Sequence, residues 1–74
     1  MFYLVNMKRK LKFVSDSIKA QRKASKLSMR ELSKITGISI GNLSKIESYN
    51  GNITMTTLFK IADALGMPTT VFLP

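Results

Sequence analysis

The 74-residue sequence predicts an all-α fold. Three observations point there: helix start and stop residues recur along the chain, apolar residues recur at helical spacing, and no segment alternates at the strand period. The first helix is expected from about Phe13 or Val14 to Ala24. Ser15, Asp16 and Ser17 suit its first turn, where hydroxyl and acid groups meet unpaired amides. Val14 and Ile18 supply an i, i+4 apolar pair for a core.

Residues 1–12 read as a separate basic arm ahead of a domain spanning 13–74. An apolar tip, Phe2-Tyr3-Leu4-Val5, precedes Lys8, Arg9, Lys10 and Lys12, with no acid among them. Two readings stand for this arm. It is either a mobile segment that tracks phosphates or enters a minor groove, or an unordered solvated tail, with Met7 as an alternative start.

Residues 27–47 write out a helix, a glycine turn and a second helix. Ser28 begins a capping box with Glu31, and Leu27 and Leu32 occupy hydrophobic-staple positions around it. Gly37 stops the helix, since a residue without Cβ enters the left-handed conformation cheaply. Ser39 then offers a fresh N-cap. Two short helices about a tight glycine turn form the helix-turn-helix unit, whose second helix enters the DNA major groove. A fourth helix follows the Thr54 cap, stapled by Ile53 and Leu58, with Leu58, Ile61, Ala62 and Leu65 as its core stripe. Gly66 ends it and Pro68 prevents its continuation. The tail through Val71, Phe72 and Leu73 reads as one or two last helical turns.

Composition narrows the function. Twelve Lys and Arg stand against four Asp and Glu, a net charge of +8, which favours a polyanionic partner, nucleic acid before an anionic membrane. With neither Cys nor His, disulfides, the usual zinc ligands and the usual neutral-pH proton shuttle are missing. The acids Asp16, Glu31, Glu47 and Asp63 show no paired or metal-ligand spacing. Neither an enzyme nor a cofactor is expected. The apolar run lies ahead of the basic cluster, the reverse of a secretory signal, and nothing is apolar enough to span a bilayer. A cytoplasmic protein is expected.

From Ile18 to Leu73 the sequence resembles the phage repressor and Cro type of helix-turn-helix protein, also known as the xenobiotic-response-element family. The landmarks are Ile18 with Arg22, Leu27-Ser28-Met29-Arg30-Glu31-Leu32, Gly37-Ile38-Ser39, Leu43-Ser44-Lys45-Ile46-Glu47, and the run from Thr57 to Gly66. The resemblance implies a compact five-helix, lambda-repressor-like domain that binds operator DNA as a two-fold dimer. It implies an ion pair between Arg22 and Glu47 that orients the third helix; read on their own, Arg22 is equally a phosphate contact and Glu47 a solvated charge. It also implies that the last helix, with Val71, Phe72 and Leu73, forms the dimer contact; the same residues read equally as closing the core.

The recognition helix is expected at about 39–48. Advancing about 100° per residue from Ile40 puts Leu43 and Ile46 on the core side, and Ile40, Gly41, Ser44 and Lys45 opposite, flanked by Asn42. These five are the expected base contacts. Lys45 can donate to guanine O6 and N7, Ile40 can pack on a thymine methyl, and Ser44 is permissive. Gly41 either lets the backbone approach the bases closely or marks a helix that reads sequence weakly, leaving more to DNA shape. Phosphate contacts are expected at the helix starts, around Ser28, Met29 and Ser39, and the resemblance implies further ones at Asn50 and Asn52. Met29 stands where the family commonly has Gln, so the side-chain phosphate contact there is lost.

The first reading of function is a sequence-specific transcriptional regulator on a palindromic operator, either a phage-type repressor or a restriction-modification controller. The other reading is an antitoxin or protein-interaction module, motivated by Ile40, Gly41 and the apolar arm.

Overall fold

The computed structural model describes residues 2–48 and 53–74, with side chains from Met7 onward. Among these are four α-helices, α1 (Phe2–Ala24), α2 (Met29–Thr36), α3 (Ile40–Glu47) and α4 (Met55–Leu65), followed by a 3-10 turn over Thr69–Phe72. The all-α class holds. The fifth expected helix is this 3-10 turn, because Pro68 fixes an extended backbone just before it and Leu73 leaves it extended.

The first helix starts at Phe2, not at Phe13 or Val14. The residues read as an arm continue it, since Met7-Lys8-Arg9-Lys10-Leu11-Lys12 are all good helix formers with no glycine or proline between them. The expected cap residues sit inside the helix instead. Ser15 is buried, and Asp16 accepts from Lys12 Nζ at 2.8 Å one turn back.

The helix ends without glycine. Lys26 takes the left-handed conformation at φ 58°, while its amide bonds to the Lys23 carbonyl and that of Leu27 to the Arg22 carbonyl. This closes a Schellman turn, in which a non-glycine residue carries about 1 kcal/mol of backbone strain.

Local chemistry fixes the other ends. The Ser28 hydroxyl accepts from the Glu31 amide at 3.1 Å, and the Ser28 amide donates to the Glu31 carboxylate at 3.0 Å. Ser39 and Thr54 cap α3 and α4, accepting from the amides of Asn42 and Thr57. Gly37 (φ 76°) and Gly66 (φ 66°) end α2 and α4 in the left-handed region.

Each helix contributes its apolar stripe to one core: Val14 and Ile18, Leu32, Leu43 and Ile46, then Leu58, Ile61, Ala62 and Leu65. Phe72, fully enclosed, closes it from the 3-10 turn. Helix α2 packs on α3 and α4, and α1 crosses α3, α4 and the closing turn. Around that core Leu27, Ile38 and Ile53, each directly before an N-cap, lie half-buried against it. Three staples therefore set how the chain enters α2, α3 and α4.

Candidate nucleic-acid interface

Helix α3 is divided sharply between its two sides. Leu43 is fully buried and Ile46 and Glu47 nearly so, while Ile40, Gly41, Asn42, Ser44 and Lys45 are all exposed. Ile40 keeps 45% of its surface in water, and nothing approaches within 4 Å of where a Cβ on Gly41 would stand. The result is an outward face of one apolar side chain, one bare stretch of backbone, two short polar groups and a lysine.

A clamp at its far end fixes how this face points. Arg22 Nε donates to Glu47 Oε2 at 2.7 Å and Nη2 to Oε1 at 3.0 Å, a two-pronged pair joining α1 to the end of α3. The third prong, Nη1, donates to the Leu27 carbonyl at 2.8 Å in the loop before α2. Only 2% of the Glu47 side chain remains exposed. The hydrogen bonds donated to Glu47 push the guanidinium's affinity for its proton higher still, against the opposing effect of burial. One arginine thus ties together the three segments that surround the outward face.

At the other end, the turn between α2 and α3 is held by two hydroxyls. Ser33 Oγ donates to the Ile38 carbonyl at 2.6 Å. Thr36 Oγ1 donates to the Leu32 carbonyl and accepts from the Ile38 amide. Sequence reasoning did not single out Ser33 or Thr36. Their signal is faint, since a hydroxyl in the last turn of a helix is commonplace and its partner depends on the path of the following chain.

The phosphate candidates divide. Ser39 is exposed and caps α3. The Ser28 amide, by contrast, donates to the Glu31 carboxylate, so the first-turn amides of α2 left without an acceptor in the helix are those of Met29 and Arg30. The Met29 side chain is turned to the core edge. Asn50 and Asn52 lie outside the described residues.

A groove between the helices adds cations that the sequence reading passed over. Lys19 and Lys23, one turn apart on α1, line it together with Met29, Ser44, Ser48 and the Arg22–Glu47 pair. These lysines flank α3 because Arg22, between them in sequence, docks α1 onto it. Lys8, Arg9, Lys10 and Lys12 are exposed on the opposite end of α1. Twelve residues at about 1.5 Å each put Lys10 roughly 18 Å along the axis from Arg22.

No cluster of His, Cys, Asp or Glu capable of holding a metal ion is present among the described residues. No helix among them is long and apolar enough to cross a membrane.

Residues 18–72 match the helix-turn-helix family HTH_3, and the chain belongs to that family. Among solved structures, an HTH_3 family transcriptional regulator from Vibrio cholerae is 29% identical over 88% of this chain, with a TM-score of 0.83. The match covers 36% of that protein, so this chain spans little more than a third of its length. The restriction-modification controller protein C.AhdI from Aeromonas hydrophila superposes with a TM-score of 0.82, over 85% of this chain and 96% of that one. At 21% identity that likeness is one of fold. A search of curated proteins finds no match.

Proposed function

We propose that the chain is a sequence-specific DNA-binding transcriptional regulator, a repressor or autoregulator, that acts in the cytoplasm and carries out no catalysis. The observation that carries the proposal is the outward side of α3, held clear of the interior by the Arg22–Glu47 clamp. In this reading α3 lies in the major groove. Lys45 donates to a guanine, Ile40 packs on a thymine methyl, and Asn42 and Ser44 make the adaptable polar contacts. Gly41 lets the helix backbone approach the base edges. The amides around Met29, Arg30 and Ser39 hold phosphates, helped by Lys19 and Lys23.

A dimer on a palindromic operator belongs to the same proposal. Phe72 takes no part in its interface, because it is fully enclosed in its own core. Leu73, 39% exposed, and half-buried Val71 remain for that contact. The basic N-terminal stretch is helical and so does not wrap a groove as a loose arm would. We assign it long-range attraction of the duplex. A restriction-modification controller is one form that such a regulator takes.

Selection from random duplexes tests the reading. The expected product is an inverted repeat with half-sites about 10 bp apart, and Lys45→Ala should lose the preference for guanine at one position per half-site. Failure to enrich any sequence would overturn the proposal. An unchanged preference in the variant would remove Lys45 from the contacts.

A further inference from the structure

One apolar stripe runs the length of α1 at alternating three- and four-residue steps: Leu4, Met7, Leu11, Val14 and Ile18. Such spacing is that of a coiled-coil seam. Its burial fades steadily toward the N-terminus. Ile18 is fully enclosed, Val14 is 7% exposed, Leu11 is half-buried and Met7 is 39% exposed. The domain's own core takes the C-terminal part of the seam, covers Leu11 only in part and leaves Met7 exposed. The family match begins at Ile18, so the uncovered part lies outside the shared domain.

The flanks of the seam are basic. In the heptad register set by Met7 at d and Leu11 at a, Lys8 and Lys10 fall at e and g, where partner helices exchange salt bridges. Both are exposed, as is Arg9. No ion pair engages any of the three among the described residues, whereas Lys12 is held by Asp16.

We propose that this end of α1 is one strand of a two-stranded coiled coil whose other strand is an acidic amphipathic helix from a different protein. Charge decides the occupant. A second copy would set lysines against lysines along both flanks, which disfavours it. A phosphate backbone satisfies the lysines but leaves Met7 and Leu11 in water. An anionic membrane wants a broad apolar face, and between Met7 and Leu11 the exposed Lys8, Arg9 and Lys10 leave only the seam apolar. The proposal shares Lys8 and Lys10 with the long-range attraction assigned above, but stands apart from base reading, which rests on α3.

The test uses the full chain and two labelled synthetic helical peptides, both with leucine at a and d. One carries glutamate at e and g, the other lysine. Fluorescence anisotropy should show the acidic peptide binding at least about tenfold more tightly. Met7→Ser, at an exposed position, should abolish binding. The double substitution Lys8→Glu with Lys10→Glu should invert the preference between peptides. Equal binding of both peptides, or binding of neither, would overturn the proposal. So would adsorption to phosphatidylserine vesicles that weakens in Met7→Ser while peptide binding is unchanged, or a self-dimer in sedimentation that Met7→Ser dissolves.

Discussion

Arg22 is the residue on which the candidate interface turns. Its three guanidinium nitrogens are all engaged, two with Glu47 and one with the Leu27 carbonyl, so no shorter or less branched cation replaces it. Removing one partner strands the other charge in a site with little water. Arg22→Ala should cost about 3 kcal/mol in urea denaturation, because it leaves the Glu47 carboxylate buried and unpaired. The double variant Arg22→Met with Glu47→Leu should recover most of that stability. It should still lose DNA affinity if the pair's main task is to aim α3. Recovery of both together would show that orientation needs no ion pair. The two residues were legible in the sequence only through the family's landmarks, since an arginine and a glutamate 25 positions apart carry no local signal of meeting.

At the scale of the elements, the helix ends explain most of what was legible. Ser28 with Glu31, Ser39, Thr54, Gly37 and Gly66 each act within four residues of themselves, so spacing alone exposes them. The boundary of α1 failed for the same reason. Ser15 and Asp16 look like a cap locally, yet nothing upstream breaks the helix, and the core and Lys12 engage them otherwise. The capping box also makes a pH prediction. The Ser28 amide and hydroxyl hold the Glu31 carboxyl below its ordinary pKa. Its stabilisation is therefore complete above the unfolded value of about 4.3 and fades as pH falls through Glu31's own lower pKa. Thermal melts at pH 6 and pH 3 should differ more for the natural chain than for Glu31→Ala; equal differences would mean the box does not titrate. Helix α3 offers a sharper test. Gly41 is exposed with open space around it, so Gly41→Ala should stabilise the fold by about 1 kcal/mol. If the backbone there meets base edges, the same change should weaken operator binding. A gain in stability with unchanged affinity would favour shape readout over close approach.

Across the whole molecule, charge is divided along α1. Lys19 and Lys23 flank the interface, while Lys8, Arg9, Lys10 and Lys12 occupy the far end. Operator affinity should fall steeply with salt, by about 0.9 in the log–log slope for each phosphate neutralised. Neutralising Lys19 and Lys23 should flatten that slope, whereas Lys8→Gln with Lys10→Gln should slow association and leave the slope nearly unchanged. Equal flattening by both pairs would place the far end on the backbone after all. The fold class and the division of α3 between its faces could be read from periodicity. The cations beside α3 could not, because their relevance depends on how α1 is docked. The Arg22 tie and the Ser33–Thr36 stitch grip α3 at opposite ends through bonds internal to the chain. If α3 reads DNA as proposed, binding should involve no coupled folding of that helix, and its heat-capacity change should reflect only the apolar area lost to solvent between two preformed surfaces.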